Sequence, residues 1–167
     1  RPDQKIAGDR RALWTPLYGL ETFGDLFTDR QLVALNTFSD LLAEARERAI
    51  ADAEKTGMDN DGAGLDAGGS GATAYGDAVA TYLAFILDKQ SDLCNSLNRW
   101  EPNAQCPRQL FARQAIPMVW DFAESNPLCS SSGSWTVLLD NFIRSFKSPL
   151  LNFERKQFGQ SYLKDAT

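Results

Sequence analysis

The chain has 167 residues, a net charge of −5 and a hydrophobic fraction of 43%, which fits one globular domain with a buried core. It contains no histidine, so a Ser-His-Asp triad, a Cys-His pair and a histidine-ligated metal are excluded within these residues. The acidic charge argues against a module that grips a nucleic-acid backbone unaided. No apolar run approaches the roughly 20 residues of a membrane span, so we expect no membrane partner.

Three cysteines, Cys94, Cys106 and Cys129, are widely spaced and form no CxxC pair. We therefore expect no zinc or other metal site, and reduced thiols in a cytoplasmic protein. No secretory signal is visible at the start of the sequence. Because the sequence begins with Arg1 rather than methionine, we expect the chain to be a piece of a longer protein.

Residues 1–27 predict an irregular arm, because Pro16, Gly19 and Gly24 interrupt any long element. Its second half is apolar and aromatic. We expect four aromatic side chains to hold this arm against the helices that follow: Trp14, Tyr18, Phe23 and Phe27.

Thr28 opens the clearest predicted helix, since Thr28 and Gln31 have the spacing of a capping box. Gly57 is a natural stop for this helix. One apolar stripe follows at helical spacing and is expected to face the core: Leu32, Leu35, Phe38 or Ser39, Leu42, Ala45 and Ala49.

The stretch 57–76 is rich in glycine and predicts a mobile surface loop. A phosphate-binding loop is the alternative, but no lysine lies within the stretch and its aspartates would repel phosphate. A second helix is predicted over about 74–93. Its expected buried side consists of Val79, Tyr82, Leu83, Ile86, Leu87 and Leu93.

The region after this helix predicts shorter elements. Residues 95–105 indicate a loop, and Pro107 is placed to open a short helix that ends before Pro117. Residues 118–125 indicate one or two further helical turns. Ser134 is placed to cap a last helix whose apolar face carries Trp135, Leu138, Leu139, Phe142, Ile143 and Phe146.

The predicted fold class is mainly α. It is a helical module over 28–148, with the irregular arm in front and a tail over 149–167. One short strand is expected in that tail, at 160–163.

Three sequence blocks resemble one family. They are YGLETFGDLFTDRQL at 18–32, DAVATYL at 77–83 and RQAIPMVWDFAESNP at 113–127. In this order they resemble a central region of large bacterial and archaeal adenine-specific DNA methylases, whose conserved amino-terminal domain has no assigned function. The resemblance extends over most of the chain, except the glycine-rich loop and residues 95–109.

Such a methylase uses S-adenosylmethionine and transfers a methyl group to the exocyclic amine of adenine, with the target base flipped from the duplex. The family's cofactor loop lies upstream of this region and its Asp-Pro-Pro-Tyr motif lies downstream. Neither is present here, since the chain has no Pro-Pro pair. The resemblance thus implies a non-catalytic helical insertion that binds no cofactor itself. It would support the catalytic fold or position DNA, with the rest of the methylase and its DNA as partners.

The alternative function is a protein-interaction module in a DNA modification or defence complex. The resemblance also extends to KDAT at the chain end, where such enzymes use the aspartate to bind the amine of the cofactor's adenine. In an intact enzyme we would assign that role to Asp165. Within this chain alone, an exposed charged residue is the favoured interpretation.

The candidate DNA contacts are Arg113 and Gln114, the pair Arg10 and Arg11, and the basic group Lys147, Arg155 and Lys156. Arg113 and Gln114 fit the anchoring of a helix start better than base or phosphate contact.

Asp121 and Glu124 could act as acid and base, but a solvated or arginine-paired face is favoured. Trp120, Phe122 and Met118 could stack a base, but such aromatics more often form core. We therefore expect residues 113–127 to form a proline-bounded helix that packs the core, without catalytic residues.

Overall fold

A computed structural model describes residues 1–8, 15–112 and 115–147. The fold is mainly α, as predicted. Two 3-10 turns, Thr15–Tyr18 and Phe23–Leu26, precede helix α1 at Asp29–Lys55 and helix α2 at Ala72–Leu93. An antiparallel pair of two-residue strands follows, β1 at Trp100–Glu101 and β2 at Cys106–Pro107. Helix α3 spans Trp135–Phe146. The predicted strand at 160–163 lies outside the described residues.

Helix α1 begins and ends where local chemistry predicts. The backbone amide of Thr28 donates to Gln31 Oε1 at 2.9 Å, and the amide of Gln31 donates back to Thr28 Oγ1 at 3.4 Å. This reciprocal pair is the predicted capping box. Gly57 has a φ of 88°, a conformation that costs glycine little and lets the chain leave the helix. The stripe along α1 is half-buried.

Helices α1 and α2 form an antiparallel hairpin. Near the loop end, the Arg46 guanidinium donates to Asp77 Oδ1 at 2.6 Å, and Gly76 packs against Ile50. At the opposite end, Cys94 closes α2 beside the first turns of α1. The prediction that Ile86 and Leu93 of α2 are buried is confirmed. Tyr82, which was also predicted to be buried, is 44% exposed.

The glycine-rich stretch is a loop over 57–71, and side chains tie it to the hairpin; residues 72–76, predicted as loop, belong to α2. Asn60 Oδ1 accepts from the amides of Gly62 and Thr73, at 3.1 and 3.2 Å. Asp77 Oδ2 accepts from the amide of Leu65 at 2.9 Å. These bonds satisfy backbone amides that a helix or sheet would otherwise pair. The loop's mobility stays a prediction.

Helix α3 is capped as predicted, with Ser134 Oγ accepting from the amide of Val137 at 3.4 Å. Trp135 stacks on Phe38 of α1, with ring centroids 4.6 Å apart. Further along, Phe142 and Phe146 meet Tyr82 of α2. No residue of α3 is fully buried, so the predicted apolar face is only partly covered.

The buried apolar cluster lies beside the hairpin rather than within it. It consists of Ile6, Leu26, Leu97, Leu110 and Ile116. Phe23 and Phe27 of the arm pack against this cluster, none of whose residues lies in an α-helix, so these two rings hold the arm to the segments after α2 rather than to the helices as predicted. Trp14 lies outside the described residues.

The prediction of one helix before Pro117 and another after it is wrong for the residues that the structure describes. Pro107 pairs in β2 with Trp100, and residues 108–112 and 115–125 contain no helix. The amide of Ala123 donates to Asn98 O at 2.8 Å, and Ser125 Oγ donates to Leu93 O at 2.8 Å. These distant partners hold an irregular, extended path that local helix preference does not override.

Candidate functional site

Residues 18–32 and the described residues of 113–127 are far apart in sequence but meet in the fold. The rings of Tyr18 and Trp120 lie edge to face, with centroids 5.4 Å apart and an interplanar angle of 85°. Trp120 is 84% exposed and Tyr18 is 49% exposed. The expectation that Trp120 belongs to the core is wrong. In the extended run the backbone turns this side chain outward, whereas Ile116 enters the core.

An ion pair joins the same two segments. Arg30 Nε donates to Glu124 Oε1 at 2.6 Å, and Arg30 Nη2 donates to Glu124 Oε2. This forked geometry fixes orientation as well as charge. Bonding to Glu124 raises the pKa of the Arg30 guanidinium. The arginine-paired interpretation of Glu124 is confirmed.

The two segments also share the buried core. Phe27, Met118 and Val119 pack against the buried cluster that contains Leu26 and Ile116. Each of the two segments therefore contributes inward apolar side chains and outward functional groups. Such support keeps an exposed aromatic pair in one orientation.

A cavity of about 400 Å³ lies between the first turns of α1 and the end of the extended run. Its lining residues include Arg30, Gln31, Cys94 and Glu124. Gln31 is 2% exposed, and its Nε2 has no hydrogen-bond partner among the described residues. Burial, helped by the charge of Glu124, raises the pKa of the Cys94 thiol. A buried thiol of raised pKa is a poor nucleophile, so these groups offer no acid–base or nucleophilic pair.

The other two thiols, those of Cys106 and Cys129, do not line this cavity. None of the three cysteines forms a disulfide. A hydrogen bond with the Ser131 hydroxyl lowers the pKa of the Cys129 thiol. Within residues 1–8, 15–112 and 115–147, no group of His, Cys, Asp or Glu side chains is arranged to hold a metal ion.

Most of the predicted DNA contacts lie outside the described residues. These are Arg10, Arg11, Arg113, Gln114, Arg155 and Lys156, and the candidate cofactor residue Asp165 lies outside them too. Lys147 is described, and it is exposed at the end of α3. Its predicted role in binding DNA stays a prediction.

The segments that carry Tyr18 and Trp120 are nearly balanced in charge. Residues 1–32 and 113–127 contain seven Asp or Glu residues and six Arg or Lys residues. Asp121 beside Trp120 is exposed, and it forms no ion pair with the described residues.

Sequence reasoning missed the Tyr18–Trp120 and Arg30–Glu124 contacts because both are long-range. Their only sequence signal was that both segments carry the family resemblance. In the part of the chain that the structure describes, no helix is long and apolar enough to cross a bilayer. Searches of protein-family models, curated proteins and solved structures found no match to this chain.

Proposed function

We propose that this chain is a non-catalytic helical part of an S-adenosylmethionine-dependent DNA adenine-N6 methyltransferase, and that it packs against the catalytic region of that enzyme. The observation that carries the proposal is that two resemblance blocks contact each other in the fold. Residues 18–32 and 115–127 share a core, an ion pair and an aromatic pair. Two blocks that resemble the same family thus form one structural unit.

The chemistry of the chain favours a structural role in the enzyme over a catalytic one. The sequence lacks histidine and the Pro-Pro pair of the catalytic motif. Glu124, which lines the cavity together with Gln31 and Cys94, is held by Arg30 instead of facing a proton donor. The cofactor, the target adenine and the DNA would therefore be bound by the rest of the enzyme, in the cytoplasm.

A protein-interaction module of a DNA modification complex is the second candidate. The observation favouring it is an exposed apolar face on α2 and α3. Tyr82, Phe85, Ile143 and Phe146 are each between 40% and 54% exposed on neighbouring helices. Contiguous exposed apolar side chains of this kind mark protein contacts more often than nucleic-acid contacts.

The full reading frame provides the test of the methylase proposal. The polypeptide that it encodes should contain Asp-Pro-Pro-Tyr after the present segment and should transfer tritiated methyl groups from S-adenosylmethionine to adenine in duplex DNA. Residues 1–167 alone should transfer none. A full-length polypeptide without the motif, or without methyl transfer to any duplex tested, contradicts the proposal and leaves the interaction module.

Binding of DNA by the segment alone is a separate measurement. We expect no gel shift of a DNA duplex by residues 1–167 below about 100 μM at low salt, the weak end of ordinary non-specific binding. A shift at lower concentration would show direct DNA contact and would move the role from packing to DNA positioning.

A further inference from the structure

We propose that a second cavity, beside the strand pair, binds a small phosphate-bearing ligand of nucleotide size. Arg99 and Arg108 would hold its phosphate, and core side chains would contact its apolar or aromatic body. The cavity has a volume of about 370 Å³ and is lined by residues on either side of β1 and β2 and by the extended run after them. This binding would be separate from the methylase role, because neither the cofactor nor the catalytic motif takes part in it.

The polar side of the cavity is cationic. Arg99 precedes β1 and Arg108 follows β2, and both residues line the cavity, whereas no Asp or Glu among the described residues does so. The whole lining comes from residues 97–119, which contain three arginines and one glutamate, a net charge of +2 in a chain of net charge −5. The third arginine, Arg113, lies outside the described residues. A cleft of one charge sign attracts ligands of the opposite sign, so this one favours an anion.

The strand pair places the two arginines opposite each other. The amide of Arg108 donates to the carbonyl oxygen of Arg99 at 2.9 Å, one residue beyond the pairing of Trp100 with Pro107. Like charges at opposite positions of an antiparallel pair are destabilising. Two guanidinium groups that line one cavity therefore favour a multiply charged anion such as a phosphate monoester, whose charge at pH 7 is about −1.5 to −2.

The nearest carboxylate leaves donors of both arginines available. Glu101 Oε2 lies 3.4 Å from Arg99 Nη1 and 3.8 Å from Arg108 Nε, so the two arginines share one oxygen at distances longer than a strong charged hydrogen bond. Arg108 Nε is shielded from solvent and has no hydrogen-bond partner among the described residues. Because a guanidinium carries five N–H donors, both arginines can still donate to phosphate oxygens.

The apolar side of the cavity is formed by core side chains. Leu97 and Leu110 belong to the buried cluster, and Val119 packs against it. The amide of Leu110 donates to the Asp92 carbonyl oxygen at 3.1 Å, which holds this wall to the end of α2. An apolar lining with a few convergent polar groups is the usual form of a small-molecule pocket. A nucleic-acid backbone would leave these apolar side chains unused, so a small ligand is the occupant that the lining favours.

Isothermal titration calorimetry of residues 1–167 at low salt tests the site with three probes. Adenosine 5′-monophosphate should bind with a Kd of about 1 mM or below. Inorganic phosphate lacks the apolar body and adenosine lacks the phosphate, so each should bind at least about tenfold more weakly. Added NaCl should weaken binding of the monophosphate, because salt screens its attraction to the arginines.

Two variants and a matched control locate the binding. Arg99→Gln and Arg108→Gln should each raise the Kd of the monophosphate about tenfold or more, because each removes charged hydrogen bonds. Arg48→Gln removes the same charge from α1, where Arg48 pairs with Glu44 away from the cavity, and should leave the Kd unchanged. The Tm of each variant without ligand shows whether it is folded, and the comparison of probes on the unsubstituted protein does not depend on the variants.

Three results would overturn the proposal. One is an affinity for the monophosphate no tighter than for adenosine or for inorganic phosphate. Another is an equal loss of affinity in Arg48→Gln and Arg108→Gln, which would show general attraction to a charged protein surface. The third is binding of a single-stranded oligonucleotide without terminal phosphates but not of the monophosphate, which would assign the arginines to a nucleic-acid backbone.

Discussion

Gly76 provides a sharp test of how closely α1 and α2 approach. A Cβ atom at this position would overlap Ile50 Cγ1, and it would lie 3.1 Å from Ile50 Cδ1 and 3.2 Å from the Arg46 carbonyl oxygen. Alanine is favoured over glycine in a helix by about 1 kcal/mol. Overpacking a tight contact costs about 1–3 kcal/mol. We expect Gly76→Ala to lower the free energy of unfolding by about 1 kcal/mol, because one of the contacted groups is backbone and Ile50 has limited room to move.

Urea unfolding followed by circular dichroism measures this change, provided that the transition is two-state. The same substitution in an Ile50→Ala background is the control, because both side-chain overlaps are then removed. There, helix preference should win and Gly76→Ala should be neutral or stabilising. The two backgrounds should differ by about 1–2 kcal/mol, within the range of coupling between residues in contact. Stabilisation of equal size in both backgrounds would refute the close approach of α1 and α2.

Three further outcomes are expected. Thr28→Ala should lower the free energy of unfolding by about 1 kcal/mol in urea melts, because it removes the side chain that caps α1. Thr28→Ser keeps a capping hydroxyl and should retain most of that stability. The Leu65 amide and the Arg46 guanidinium hold the pKa of Asp77 below its ordinary value of 3.8. The stability that Asp77 contributes is thus present above that value and is lost as the pH falls through the lower folded pKa. The Asp77→Asn variant should be less stable than the unsubstituted protein at neutral pH, and its free energy of unfolding should fall less between about pH 5 and pH 3. An equal fall in both proteins would contradict the bonds of Asp77 to Leu65 and Arg46. Thiol labelling near neutral pH should modify Cys129 before Cys94, and a Cys129→Ala variant should lack the fast phase.

The parts of the fold that were predictable from sequence are those that depend on neighbouring residues. Thr28, Gly57 and Ser134 each act within one helical turn, through a cap or a backbone conformation. Their chemistry is complete in a short window of sequence, so the ends of α1 and the start of α3 could be located. The fold class followed from these helices.

The extended run after α2 was not predictable in the same way. Its apolar residues fit helical spacing, and short apolar runs do not distinguish a helix from an extended segment. Ala123 and Ser125 bond to carbonyl groups of Asn98 and Leu93, which lie more than 20 residues earlier. No local pattern contains those partners. The Tyr18–Trp120 and Arg30–Glu124 contacts were missed for the same reason.

This difference in backbone path changes what residues 115–127 can do. A helix that packed the core would have buried Trp120 with its neighbours. The extended path sends Ile116 inward and leaves Trp120 at the surface beside Tyr18, while Glu124 is occupied by Arg30. An exposed tryptophan gains stability only when a second surface covers it, since burial of an aromatic ring is favourable by roughly 2 kcal/mol. The run is thus core at Ile116 and surface at Trp120, which a single helix packed on the core would not have given.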